Sequence, residues 1–274
     1  MAIASNSAAK ASPAGAARPR LLAYEQPLSE RIRTFLRLEL LFDQASHHLQ
    51  GDMAADSRAA LSALLDIQTL VGKGDIRTEL LKEMERQATQ LTRWQHREDV
   101  DNIRLRNTLE TLGKLRARLE APSTQIGREL RDSEFLAALR NRSSIPGGTC
   151  GFDVPGLHHW LHQDAWQRRQ DLQNWLATLD HVMRALRLVL MLLRESATTR
   201  AMTAEHGVLQ MNLDTNGGQC QLVRVLLPAE ETVFPEISGG KHRFVIRFME
   251  RPNVGQRPQQ TRRDIAFQLA CCQL

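Results

Sequence analysis

Aromatic side chains make up only 5% of the 274 residues, with a single tyrosine among them. Single-strand nucleic-acid platforms stack bases on such rings, and none interleaves with the basic residues on the exposed face of the strand read below. Cysteine is as sparse. Cys150, Cys220, Cys271 and Cys272 show no C-x-x-C spacing, which leaves out zinc-finger patterns, and the adjacent pair would strain if bridged to itself. Reduced thiols in a reducing cytosol are the expectation. Long hydrophobic runs are missing too: the greasiest stretch, 186–193, carries Arg187 and falls well short of the ~20 apolar residues that span a bilayer. Residues 1–20 are mostly Ala, Ser, Pro and Gly with Lys10, Arg18 and Arg20. They lack the apolar core of a signal peptide and read as a floppy tail.

What is present describes a chain that folds. Hydrophobic residues form 42% and charged residues 24%, near the averages for globular proteins, and the length suffices for a substantial core. The net charge of +5 and pI near 9.4 favour an acidic partner: nucleic acid, an anionic membrane surface or an acidic peptide.

Most of the chain has helical period. Pro27 holds the residue before it extended, so 21–27 reads as a strand. Ser29 then offers an N-cap to a stripe of Ile32, Phe35, Leu36, Phe42, Ala45 and Leu49, with Arg31, Arg33 and Arg37 on the other faces. A second helix covers about 56–71 and stops at Gly72 and Gly74. Asp75 caps a third, with Ile76, Leu80, Met84, Leu91 and Trp94 in register. A fourth carries Leu105, Leu109, Leu112 and Leu119, and short joints imply antiparallel packing. A shorter helix from Asp132 ends at Ile145-Pro146-Gly147-Gly148. Asp153 with Pro155 opens another, and one long stripe runs from Asp164 to near Ala197.

After Gly207 the period falls to two. Segments 208–213 and 222–227 flank Asn216-Gly217-Gly218 and read as a hairpin. A strand at 242–249 buries Phe244, Ile246 and Phe248; another at 264–270 buries Ile265, Phe267 and Leu269. The fold class is therefore α+β: a mostly helical bundle domain with a small antiparallel β-sheet domain, formed largely by the C-terminal third plus the short N-terminal strand. The expected organisation is a tail at 1–20, a strand at 21–27 joining the β domain, a helical domain at 28–205 and a β domain at 206–274.

Catalytic patterns are weak. His158 and His162 stand four apart on a helix, but His159 occupies the place where a zincin needs Glu, and no third ligand is in sequence range. Gly239-Gly240-Lys241 lacks the other P-loop features: the upstream glycine position is Pro235 and the hydroxyl position is His242. It reads as a tight turn ending in a basic residue. Cys150 has no sequence-level link to a base, and isolated cysteines are usually small buried hydrophobes. No enzyme, metal site or cofactor is expected. The basic residues speak more clearly. Alternation that buries Phe244, Ile246 and Phe248 turns Arg243 and Arg247 outward, next to Lys241; Lys73 and Arg77 flank the joint at Gly74.

Several strings in this chain resemble the ZapD family: Tyr24-Glu25-Gln26-Pro27-Leu28-Ser29-Glu30-Arg31-Ile32-Arg33-Thr34-Phe35-Leu36-Arg37-Leu38-Glu39, Ile76-Arg77-Thr78-Glu79-Leu80-Leu81-Lys82-Glu83, Ser144-Ile145-Pro146-Gly147-Gly148 followed by Phe152-Asp153-Val154-Pro155, Ile237-Ser238-Gly239 with Arg243-Phe244-Val245-Ile246-Arg247-Phe248-Met249, and the terminal Cys271-Cys272. The likeness runs from about Leu22 to the end of the chain. It implies a helical domain plus a small β domain, a symmetric homodimer, and a cytoplasmic protein at the mid-cell division ring that grips the acidic C-terminal tail of the tubulin-like FtsZ and bundles its filaments. By position within the matching motifs, Arg37, Lys73, Arg77, His158, Lys241, Arg243 and Arg247 are the candidates for FtsZ contact, with Arg37 and Arg77 alternatively supporting the fold or the dimer. Nucleic acid is not an expected partner, although a basic nucleic-acid-binding module is the alternative that the charge balance leaves.

Overall fold

A computed structural model describes residues 20–96, 101–121, 126–213, 219–240, 242–251, 253 and 255–273. The chain opens with strand β1 (Leu21–Pro27) and helix α1 (Glu30–His48). Ser29 caps α1 by accepting from the Ile32 amide at 3.3 Å, satisfying one of the orphan donors of the first turn. Ile32, Phe35, Leu38, Phe42 and Ala45 are buried along the inner face. The large side chains among these contribute about 1.5–3 kcal/mol each on burial.

Helices α2 (Ala54–Lys73), α3 (Ile76–Arg93) and α4 (Asn102–Glu120) follow. Gly74, rather than Gly72, ends α2. Asp75 caps α3 through the Thr78 amide at 3.0 Å. The short α5 (Arg128–Asp132) precedes α6 (Glu134–Ser143), which is capped by Ser133. Helix α7 (Pro155–Leu161) begins on proline, which needs no amide partner there; its N-cap is Val154, and the Asp153 carboxylate instead accepts from Cys150 Sγ at 3.2 Å. The long stripe from Asp164 is two helices, α8 (Ala165–Ala177) and α9 (Asp180–Glu195). The Leu179 amide reaches Leu176 O at 3.0 Å and the Thr178 hydroxyl donates to Trp175 O at 2.7 Å, tightening the last turn and ending the helix. Leu179 and Val182 stay buried through the bend, which is why the apolar period hides it.

The remaining strands are β2 (Arg200–Ala204), β3 (Val208–Asn212), β4 (Leu222–Pro228), β5 (Val233–Gly239), β6 (Arg243–Glu250), β7 (Gln259–Gln260) and β8 (Ile265–Cys272). They build two antiparallel sheets. Sheet A has the order β1-β4-β8-β2; sheet B has β3-β6-β5, with β7 extending along β6. The fold is α+β, and the N-terminal strand pairs with β4 in register from Leu21 opposite Pro228.

The sheets face each other over Val223, Val225, Leu227, Phe244, Ile246, Phe248, Ile265, Phe267 and Leu269. The opposite face of sheet A, at Leu222, Ala270 and Cys272, joins the helical core. Strand β4 is thus covered on both faces. Segments 208–213 and 222–227 do not form the expected hairpin: β3 pairs with β6 and β4 lies between β1 and β8. Alternation reports which side of a strand is buried but not which strand lies beside it. The expected turn, Asn216-Gly217-Gly218, lies outside the described residues. Strands β2 and β5 escaped the periodicity reading, β5 because Pro235 argues against a strand interior.

Candidate functional site

Sheet B leaves one face to solvent, and β6 sets what that face presents. Phe244, Ile246 and Phe248 have no exposed surface, so the period of two forces Arg243 and Arg247 out, where both are exposed. The register places Asn212 opposite Arg243, Gln210 opposite Val245 and Val208 opposite Arg247 on one side. On the other side Ser238 stands opposite Val245 and Glu236 opposite Arg247. An open groove of about 560 Å³ runs over this face, lined by Gln210, Ser238, Gly240, His242, Arg243 and Arg247 among others.

The turn that starts β6 is closed by the Gly240 amide donating to Arg243 O at 3.0 Å. Gly239 is required beside it: a Cβ there would sit 2.6 Å from the Phe244 Cβ. Neither Arg243 nor Arg247 has an ion pair with a described residue. Two guanidinium forks on one exposed face suit carboxylates, which they engage through paired, charge-assisted hydrogen bonds.

The other candidates do not line this groove. Arg37 is exposed on α1. Arg77 lies across from the end of α4, donating to the Glu120 carbonyl at 2.8 Å, so part of its hydrogen-bonding capacity closes a helix C-terminus. His158 is exposed on α7, its ring 4.4 Å from that of His162. The His162 Nδ1 in turn meets the His158 carbonyl at 2.7 Å, and no group of three or more potential metal ligands gathers among the described residues. Lys241 and the Lys73 side chain lie outside what the structure describes. Glu236, Gln210 and Asn212 are the face residues that motif reasoning passed over; the apolar alternation Val233, Pro235, Ile237 was the available signal for Glu236.

Arginines at the seam between the helices and sheet A are committed inside the chain. Arg194 on α9 holds Glu25 of β1 at 2.8 Å and Glu39 of α1 at 2.6 Å, while Arg224 of β4 holds Glu25 at 2.8 Å. Arg31 binds Glu79 at 2.6 Å and the fully buried Glu83 at 3.0 Å; Arg86 also meets Glu83 and donates to the side-chain oxygen of Gln221. Burial pushes the Glu25 and Glu83 carboxyls up, but the guanidinium hydrogen bonds and charges outweigh it and hold both below the usual carboxylate range. These networks stitch the helices to sheet A. The cysteines are free thiols. Burial pushes the Cys272 thiol up to about 12, which removes the thiolate that nucleophilic chemistry needs.

The family model described as ZapD, cell division protein, matches residues 36–247. The chain is 40% identical over 253 residues to the cell division protein ZapD of Methylococcus capsulatus, covering 92% of this chain and 98% of that one. It is 40% identical over 254 residues to the protein of the same name from Aromatoleum aromaticum, covering 93% and 98%. The corresponding protein of Dechloromonas aromatica is 36% identical over 254 residues, covering 93% of this chain and all of that one. Among the described residues, no helix is long and apolar enough to cross a membrane.

Proposed function

The chain belongs to the ZapD family of cell division proteins, and from that membership we propose that it is a non-enzymatic adaptor that binds the acidic C-terminal tail of FtsZ and cross-links FtsZ filaments. It acts in the cytoplasm at the mid-cell division ring. The observation that carries this reading is the pair of exposed guanidinium groups, Arg243 and Arg247, on the uncovered face of sheet B, with no ion pair among the described residues. A tail carrying carboxylates supplies the partner. Each single contact is weak in water, so strength comes from repetition: a homodimer offers two such faces, and a filament with many tails converts weak contacts into avid ones. Bridging of this kind needs no bond to be made or broken.

Of the remaining candidates, Arg37 and His158 are exposed and extend the contact to the filament body, together with Lys73 and Lys241. Arg77 divides its role between filament contact and the α3–α4 joint. The test is co-sedimentation with polymerised FtsZ, followed by electron microscopy of the pellets. The native chain is expected to pellet with filaments and to widen them into bundles. The double charge reversal Arg243→Glu, Arg247→Glu is expected to abolish both effects with an unchanged circular dichroism spectrum. Bundling retained by that variant would refute the assignment of the face.

A further inference from the structure

We propose that the free edge of β3 is a strand-addition site for an extended partner segment whose residues alternate acidic and apolar, completing sheet B beside Arg243 and Arg247. The inference rests on the acidic-partner reading above and adds how the segment is held.

In an antiparallel pair, residues alternate between those whose backbone groups point at the neighbouring strand and those whose groups point away. The Leu213 amide donates to His242 O at 2.8 Å and the Phe248 amide to Gly207 O at 2.8 Å. With the register Val208 opposite Arg247, these two bonds set the parity: Leu209 and Met211 face β6, whereas Val208, Gln210 and Asn212 turn their N–H and C=O groups to the edge. The Val208 amide is taken by Glu205 O at 3.0 Å. Among the described residues nothing takes the backbone groups of Gln210 or Asn212, and β3 is the last strand of its sheet. An unpaired edge of this kind is a ready template for another strand.

The opposite edge of sheet B is closed to the same guest. The Gly240 amide bonded to Arg243 O sets its parity, and with the register of β5 on β6 it is Val233, Pro235 and Ile237 that present backbone to the outside. Pro235 has no N–H to offer, the usual way an edge strand is protected. The asymmetry selects β3.

Side chains then specify the guest. On the solvent side an added strand lies about 4.8 Å from β3 and about twice that from β6, within reach of extended arginine side chains. Arg243 and Arg247 are four residues apart on one face, about 13 Å along the strand, so carboxylates on alternate guest residues meet both. On the other side the guest would lie beside Leu209 and Met211, which are only partly buried against the sandwich core, and an apolar residue there extends that core.

The test uses the full chain and a short synthetic peptide alternating aspartate and valine, with a second peptide of the same sequence N-methylated at the edge-facing amides. Strand addition requires that the unmodified peptide slow amide exchange at Gln210 and Asn212 in NMR spectra, and that N-methylation weaken binding about tenfold. Unchanged exchange at those two amides, or equal affinity of the two peptides, overturns it. The two readings separate cleanly. If Arg243→Glu, Arg247→Glu abolishes binding while N-methylation costs nothing, the edge is wrong and the acidic partner survives. If N-methylation costs tenfold while charge reversal costs nothing, strand addition stands and the acidic partner falls. Protection of Gln210 and Asn212 that appears without peptide and grows with protein concentration would give the edge to a second copy of the chain, overturning the proposal.

Discussion

The seam between the helices and sheet A and the outer face of sheet B are both built on arginine, and they use it in opposite ways. At the seam, Arg194, Arg224 and Arg31 each find carboxylates from elements remote in sequence. On the face, Arg243 and Arg247 find none among the described residues. A guanidinium with its carboxylates inside the chain fixes where elements sit; one without them is available to a partner. The residue type is the same, and what separates the two roles is whether the fold delivers the counter-charge.

The sharpest way to break this contrast is to truncate one arginine from each region. Arg194→Ala strands Glu39 and leaves Glu25 to Arg224 alone, two carboxylates whose side chains are only 19% and 18% exposed. Removing one partner of a buried pair costs about 3–5 kcal/mol, and the partial exposure of this site puts the expected loss near the lower limit, read as a fall in the urea midpoint. Arg243→Ala and Arg247→Ala should each stay within about 0.5 kcal/mol of the native chain. Equal losses in the two regions would mean that the face arginines also support the fold.

Acid sharpens the contrast next. Glu83 is held below the ordinary carboxylate value in the folded chain, so the folded state releases its proton more readily than the unfolded one. Its stabilisation is therefore fully present above the unfolded value of about 4.3 and is lost as pH falls through the depressed folded value. Thermal unfolding should be flat near neutrality and decline below about pH 4.5. Glu83→Gln should unfold earlier at neutral pH, by about 2 kcal/mol, and show a shallower acid decline. A variant that keeps the full native decline would remove the seam from the account.

How much of this was legible in the sequence follows from range. The burial of Phe244, Ile246 and Phe248, and with it the exposure of Arg243 and Arg247, needed only a period of two within one strand. The caps at Ser29 and Asp75 needed only three residues of context. Arg31 and Glu79 are 48 residues apart, and no local spacing links them, so Arg31 read as a surface charge. Strand β5 stayed hidden because Pro235 forbids a strand interior but not an edge, and edge position is a property of the assembled sheet. The order of strands was illegible for the same reason: β3 and β4 share a core from opposite sheets, and their patterns are those of a hairpin.

The smallest expected effect concerns the face alone. Glu236 stands directly opposite Arg247 across β5 and β6, and opposite charges in that relation attract by about 0.2–1 kcal/mol. An acidic guest must compete with that carboxylate and also meets its repulsion. Glu236→Gln keeps the shape and the strand while removing the charge, so filament binding should strengthen by about two- to fivefold, with the gain shrinking as salt screens the exposed charges. Stability should move little, because both side chains are solvated. A weakened association would instead make Glu236 a direct contact of the partner, and the face would then read as a mixed-charge surface on which Arg247 and Glu236 each meet an opposite charge.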